Sequence, residues 1–326
     1  MPHVTLLTTG GTIASRRDPA TGHVVASVSA EDLRAALHDP LDDIPLKVES
    51  FANVGSYAID LPTSFALAQR INTLLEDPDC LGVVVTHGTD TLEESCYLAD
   101  LLLRSEKPVV FTGAQRSADE PDTDGPRNIA DSIRLAGAPA ARGLGAMICF
   151  EQEFHAARDV SKTHASRTDT FHSYEHGKLG EIDGTDVYVM RRPALRRTYT
   201  PERVEPAIDL VTMAMGSDGR ALRHALADGM KAVVIQGFGR GNTPPAVTAA
   251  ATELIAAGMP VVMTTRCPRG RVRPIYGNGG GKTLAEAGVI FAGDLSGVKA
   301  RLLLAVLLGA GFTGEALRRE IEEVGS

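Results

Sequence analysis

Two short segments of this 326-residue chain gather hydroxyl, carboxylate and glycine residues at spacings that could do chemistry. One is Thr8-Thr9-Gly10-Gly11-Thr12-Ile13-Ala14-Ser15, directly after an apolar, β-branched run. The other is Thr86-His87-Gly88-Thr89-Asp90-Thr91-Leu92-Glu93-Glu94, between such a run and a helical pattern. Either alone reads as a strand-to-helix turn whose Thr and Asp cap the next helix. Two Gly–Thr turns in one sheet point instead to a site, because ligands of open parallel α/β sheets bind beyond the strands' carboxyl ends. A threonine hydroxyl is a weak nucleophile until a base or a hydrogen-bond network takes its proton. A lysine can serve as that base where burial favours its neutral form and a carboxylate orients it. Lys162, in Arg158-Asp159-Val160-Ser161-Lys162-Thr163, is the candidate, an ordinary solvated lysine being the other reading.

Other chemistries fit the spacing less well. The first turn lacks G-x-G-x-x-G, and Gly237-Phe238-Gly239-Arg240-Gly241-Asn242 ends on Asn where the third Gly is required. Gly281-Lys282-Thr283 is no P-loop, since the first glycine of that motif would fall on Tyr276. No serine stands in G-x-S-x-G. His172-Ser173-Tyr174-Glu175-His176 does match H-x-x-E-H, which on a helix sets two imidazoles on one face with Glu as base. Gly177 and Gly180 follow at once and apolar periodicity is missing, so a surface loop is the favoured reading and a zinc hydrolase a remote alternative. No metal or cofactor is expected.

The elements that must position these residues alternate along the chain. Strand-like runs at Val4–Thr8, Val48–Phe51, Leu81–Thr86, Pro108–Thr112 and Ala146–Phe150 are separated by helical spacing at Ala30–Leu37, Thr63–Leu75, Thr91–Leu103 and Arg127–Leu135. Ser29, with Asp32 three residues on, makes a cap for the first helix. After Phe150 the pattern weakens into a polar stretch before a strand at Asp186–Met190. Residues 191–207, rich in Arg and Pro, read as an exposed linker. Strands at Leu210–Ala214, Ala232–Gln236, Pro260–Thr264 and Val289–Phe291 then alternate with helices at Gly219–Ala227 and Ala246–Ala257, and helices near 297–309 and 313–324 close the chain. The alternation predicts an α/β protein of two domains with mainly parallel sheets, a larger catalytic one at 1–190 and a smaller one at 208–326.

Composition narrows the partners. Forty-one acidic against 33 basic residues give a net charge of −8, Trp is absent and aromatics are 5%. That argues against a basic face for phosphate backbones and against stacking platforms, so no nucleic-acid partner is expected. The longest apolar stretch, Leu302–Phe312, is eleven residues, too short to cross a bilayer. The first residues lack a basic region ahead of an apolar run, so a cytoplasmic location is expected. Cys80, Cys96, Cys149 and Cys267 lie far apart and read as buried free thiols of a reducing compartment.

Residues 8–14 and 87–94 resemble the two signature motifs of the bacterial-type L-asparaginase family. Thr112-Gly113-Ala114-Gln115-Arg116, Asp124-Gly125-Pro126 with Asn128, Arg158-Asp159-Val160-Ser161-Lys162 and Gly239-Arg240-Gly241-Asn242 follow in that family's order, so the resemblance spans essentially the whole chain. It implies hydrolysis of L-asparagine to L-aspartate and ammonia without a cofactor, with L-glutamine or another side-chain amide as the alternative substrate. Thr12 would be the nucleophile, forming an acyl-enzyme. Thr89, Asp90 and Lys162 would form a second catalytic group, in which Thr89 activates the water or helps the attack and Lys162 polarises its hydroxyl. Asp90 would hold the substrate ammonium and Ser56 its α-carboxylate. Gly11, Gly55, Gly88 and Ala114 would line the substrate, and the Thr89 N–H would be an oxyanion donor. Family members are homotetramers, dimers of intimate dimers, and Asn242 matches a contribution from the partner's C-terminal domain.

Three positions depart from the family pattern. Residues 16–30 hold no tyrosine, where the family's lid contributes one beside the nucleophile. Tyr57 follows Ser56, where Gln or a small polar residue is usual, and it is expected to line the pocket and take the place of the missing phenol. A partner-chain Glu found in some members has no clear match within Arg271–Lys282. The alternatives from other classes are a non-catalytic amino-acid sensor and the zinc hydrolase. The amidotransferase relatives of this fold carry an extra N-terminal domain, for which a catalytic residue at position 12 is expected to leave no room.

Overall fold

The structure, a computed structural model, describes residues 1–17, 21, 24–26, 37, 41 and 44–326. The described chain divides into two compact units, Met1–Thr198 and Tyr199–Ser326. In the first, β1 (His3–Thr8) pairs in parallel with β4 (Leu46–Ser50) on one side and β5 (Cys80–Thr86) on the other. The parallel set continues through β6 (Val109–Thr112) and β7 (Ala146–Phe150). A short hairpin, β2 (Ser15–Arg17) with β3 (Val24–Ala26), lies outside this sheet. The expected helix at Ala30–Leu37 and its Ser29–Asp32 cap fall outside the described residues, Leu37 excepted.

The polar stretch after Phe150 extends the same sheet rather than leaving it. The strands β8 (Glu153–Ala156), β11 (Gly180–Asp183) and β12 (Asp186–Val189) add in antiparallel fashion, giving the order β12-β11-β8-β7-β6-β5-β1-β4. Glu151 and Gln152, with φ of 49° and 65°, form the two-residue turn from β7 to β8. The loop that follows β8 carries a two-strand ladder, β9 (Ser161–Lys162) against β10 (Phe171–His172).

Helices α1 (Leu61–Leu75), α2 (Leu92–Leu102) and α3 (Gly125–Gly137) connect the parallel strands. The Asp60 carboxylate accepts from Thr63 N at 2.9 Å, capping α1. Because side chains alternate across a strand, Val4, Leu6, Val84, Val110, Met147 and Cys149 share one face, where they pack with Ile129 and Ile133 of α3 in one buried cluster. In spatial order the parallel strands run second, first, third, fourth, fifth, so the direction of winding reverses between β1 and β5. That reversal opens a crevice at the carboxyl ends of those two strands.

The second unit is a four-stranded parallel sheet, β13 (Ile208–Thr212), β14 (Ala232–Gly237), β15 (Val261–Thr265) and β16 (Ile290–Phe291), in that order. It is joined by α4 (Arg220–Ala227), α5 (Pro245–Ala256) and the short α6 (Gly281–Glu286), and followed by α7 (Gly297–Gly309) and α8 (Gly314–Val324). Among the described residues no helix is long and apolar enough to cross a membrane. Three of the cysteines are buried free thiols as expected, but Cys267, in the loop leaving β15, is exposed.

Candidate active site

The sheet register assembles the site. Ser50, Thr8, Thr86 and Thr112 are paired across β4, β1, β5 and β6, so four hydroxyl residues end four adjacent strands in one row. Each chain then turns within two or three residues, and glycine permits the turns to touch. Gly10 and Gly11 adopt left-handed φ of +102° and +86°, and a Cβ on Gly11 would fall within 3.0 Å of the Gly88 backbone. A Cβ on Gly88 would in turn stand 2.6 Å from Ser56 Oγ. The two Gly–Thr turns and the Gly55-Ser56 loop are therefore packed backbone to backbone at the crevice.

Thr12 opens a 3₁₀ turn over Thr12–Ala14 and is half-buried. The turn is anchored by Ile13, which belongs to the buried cluster with Ala114 and Ile129. On the loop after β4, Val54 N donates to the Thr9 carbonyl at 3.0 Å, which ties Gly55 and Ser56 to the end of β1. Ser56 is buried, its Oγ accepts from Asp90 N at 3.2 Å and its carbonyl accepts from Thr91 Oγ1 at 2.9 Å. The Ser56 hydroxyl proton meets no acceptor among the described residues and can be donated to an anionic ligand. Tyr57 is 82% exposed in this unit, its ring lying over Gly55.

Lys162 reaches the same point from β9. Its backbone N donates to Glu93 Oε1 at 3.2 Å in the first turn of α2, and its side chain crosses to the loop after β5. There Nζ donates to Thr89 Oγ1 at 2.9 Å and to Asp90 Oδ1 at 3.0 Å. The Thr89 hydroxyl donates onward to Gln115 Oε1 at 3.3 Å. Thr89 is 5% exposed, the Lys162 side chain 16% and the Asp90 side chain 60%, so the group runs from the interior to an open carboxylate. A buried hydroxyl held between a cation and an acceptor, with an accessible anion beside it, can be polarised toward a proton transfer while that anion binds a cationic ligand.

A third strand end is fixed by residues that sequence reasoning placed in motifs without giving them a task. Asp124 accepts from Gln115 N and Arg116 N at 3.1 and 3.0 Å, and Asn128 Nδ2 donates to the Gly113 carbonyl at 3.0 Å. Asn128 Oδ1 also accepts from Glu151 N at 3.1 Å, joining the turns after β6 and β7. Ala114 is thereby held, fully buried, next to the loop of Thr89. The spacing Asp124-x-x-x-Asn128, one helical turn at the start of α3, was the available signal.

The structure thus brings Gly11, Gly55, Ser56, Gly88, Thr89, Asp90, Ala114 and Lys162 around one crevice, with Thr12 at its edge. Asn242 lies in the second unit, after β14, where the loop closes on itself through Phe238 and Asn242 Oδ1 accepts from Gly281 N at 3.1 Å. The H-x-x-E-H segment is not helical. His172 ends β10 and a turn follows, so the two imidazoles do not share a helix face. Among the described residues no three His, Cys, Asp or Glu side chains are grouped to hold a metal ion.

Two histidines near these loops are neutral because they are buried. His87 donates from Nδ1 to the Gly88 carbonyl at 2.8 Å, and burial pushes its pKa from 6.5 down to about 4. His155, beside Ser173, is likewise lowered to about 4 by burial. The unfolded imidazoles take up protons near pH 6.5 and the folded ones only near pH 4, so between those values the unfolded chain binds more protons. Each histidine's contribution is therefore complete above pH 6.5 and lost as the pH falls toward 4, by up to about 3 kcal/mol. Denaturant titrations at pH 7 and 4.5 should show this loss, and His87→Gln should flatten its slope. An identical pH slope in that variant would refute the assignment for His87.

Known proteins share this arrangement of sequence and fold. The family model described as asparaginase, N-terminal, matches residues 3–195, and that of the glutaminase/asparaginase C-terminal domain matches residues 207–320. An L-asparaginase of Bacillus licheniformis is 36% identical over 94% of this chain and 95% of its own length. A glutamyl-tRNA(Gln) amidotransferase component of Methanothermobacter thermautotrophicus is 31% identical over 99% of this chain and 76% of its own. The crystal structure of a probable cytoplasmic L-asparaginase from Campylobacter jejuni superposes with a TM-score of 0.89 at 28% identity, covering 100% of this chain and 99% of the other.

Proposed function

The chain belongs to the asparaginase family, whose members act on amides, and from that premise we propose that it is an L-asparaginase using a threonine nucleophile. The observation that carries the reading is the Lys162 ammonium within hydrogen-bond reach of both Thr89 Oγ1 and Asp90 Oδ1, beside the Gly11–Gly88 contact from which Thr12 departs. In the first step the Thr12 Oγ–carbonyl bond forms and the C–N bond breaks. The Thr12 proton leaves with the nitrogen, giving ammonia and an ester. In the second, water adds to that ester, the C–O bond breaks and a proton returns to Thr12. The Thr89–Lys162–Asp90 group polarises the proton-bearing reactant, and the Thr89 N–H stabilises the oxyanion.

Substrate placement follows from charge. Asp90 receives the α-ammonium at its exposed carboxylate, and Ser56, whose proton meets no acceptor among the described residues, donates to the α-carboxylate. Tyr57 lines the entrance in place of the lid phenol, and Asn242 completes the pocket of a neighbouring protomer in a homotetramer. Likeness to the probable cytoplasmic L-asparaginase of Campylobacter jejuni supports a cytoplasmic location.

The test is ammonia release from L-asparagine, L-glutamine and D-asparagine in parallel, with and without a chelator. L-Asparagine is expected to turn over fastest, and the chelator to change nothing. Faster release from L-glutamine would reassign the substrate. No release from any amide would support a sensor, and activity lost to the chelator and restored by zinc would support a metal-dependent hydrolase.

A further inference from the structure

The Thr89 hydroxyl has one proton and two lone pairs to place. Lys162 Nζ donates into one lone pair at 2.9 Å, and the proton is directed to Gln115 Oε1 at 3.3 Å. The other end of the Gln115 carboxamide, Nε2, is buried and meets no acceptor among the described residues. Burying an amide donor without a partner is costly, so a side chain serving only to fill this space would be apolar. Meanwhile the Gln115 backbone is clamped, its N–H donating to both Asp124 carboxylate oxygens at 3.1 Å. The Gln115 carboxamide is thus aimed by Asp124 at a single group, the hydroxyl of Thr89.

We propose that Gln115 is a positioning residue for amide hydrolysis, fixing the direction of the Thr89 hydroxyl proton so that one lone pair stays turned away from both Lys162 and Gln115. That remaining lone pair is the one able to accept a hydrogen bond from the reactant being polarised. Without the Gln115 acceptor the hydroxyl rotates freely about its C–O bond and competes with the Lys162 donor for the same arc. The inference rests on the reading of Thr89 as part of the catalytic group. Among the described residues the charged groups bonded around the pair are Lys162 and Asp90 on the side of Thr89, Glu93 at the Lys162 backbone N–H, and Asp124 beneath the Gln115 backbone.

Two near-isosteric variants separate positioning from packing. Gln115→Met keeps the volume and removes the acceptor; kcat for L-asparagine should fall roughly ten- to a hundredfold, with KM within about twofold. Gln115→Glu restores an acceptor when ionised and loses it on protonation, when the carboxyl turns a donor toward the same oxygen. Its kcat should stay near the wild-type value at pH 8 and decline as the pH falls through the introduced group's titration, an acid limb that Gln115→Met lacks. Melting temperatures of both variants, read alongside, report on packing. Unchanged kcat in Gln115→Met would overturn the proposal, and so would equal losses in both variants at every pH. A wild-type enzyme that releases no ammonia from any amide would overturn the catalytic reading first, and this inference with it.

Discussion

Thr89→Ala should lower kcat for L-asparagine by at least about 10³-fold, with Thr12→Ala at least as severe, while each protein still melts cooperatively near the wild-type temperature. The two effects separate because of what the hydroxyls touch. Thr89 is buried in the loop after β5, yet its Oγ1 bonds to Lys162 and Gln115, both of which belong to the crevice rather than to the core. Truncation removes one hydroxyl and one methyl next to Gly113 and opens no large cavity, so the stability cost stays near about 1 kcal/mol. Lys162 keeps its bond to Asp90 and is not left uncompensated. The chemistry loses the group that polarises the proton-bearing reactant, and nothing nearby replaces it. On the proposed mechanism Thr89 and Lys162 act as one unit, so Lys162→Met added to Thr89→Ala should cost little more than Thr89→Ala alone. Ammonia release within tenfold of wild type in both single threonine variants would sink the assignment.

The strand row that carries these residues is legible in sequence because three of its four runs end on threonine and then meet glycine. Thr8, Thr86 and Thr112 are each followed within three positions by a glycine, and that punctuation marks where a buried parallel strand leaves the sheet. Of the sheet's antiparallel strands only β12 is legible, as the run expected at Asp186–Met190, while β8 and β11 are hidden for the opposite reason. The turn into β8 uses Glu151 and Gln152 at positive φ, positions where Gly or Asn would have announced a hairpin, and β8 spans only four residues. The β9–β10 ladder, two residues a side, is too short for any period to show, although it is what delivers Lys162.

The site divides along the same line. The residues of each Gly–Thr turn are contiguous, so their chemistry could be read together. Whether Lys162 is a solvated lysine or part of the site depended on a contact across 73 positions, which no local pattern encodes. Gln115 belongs to a recognisable motif, but its bond to Thr89 spans 26 positions and exists only because Asp124 and Asn128 hold the intervening turn. The Asp124-x-x-x-Asn128 spacing marks the residues that hold the turn, but a side chain such as Gln115, whose proposed task is to orient a distant hydroxyl, leaves no spacing signature, since the geometry it serves is made by tertiary packing.

Gly11→Ala should cost both folding stability and nearly all activity, and Gly177→Ala isolates why. Both glycines have left-handed φ, +86° at Gly11 and +74° at Gly177, so each alanine carries the same backbone penalty of about 1–2 kcal/mol. At Gly177 a Cβ would meet nothing within 4 Å, and that penalty is the whole effect. At Gly11 the Cβ would collide with the Gly88 N and Cα, backbone atoms that no rotamer change can clear. The two turns must then separate, and with them Thr12 from the Thr89 group, a displacement large enough to cost about 10²-fold in rate or more. Gly88→Ala falls between. Its Cβ meets the Ser56 Oγ at 2.6 Å and the Ser56 Cβ at 2.8 Å; the hydroxyl can rotate away but the Cβ cannot, so Ser56 must shift and loosen the bond from Asp90 N, and KM should rise more than kcat falls. Melting curves and steady-state kinetics on the three variants read the two costs separately. If Gly11→Ala and Gly177→Ala shared the same melting temperature and the same kcat, the backbone contact between the two Gly–Thr turns could not be what holds the catalytic threonines together.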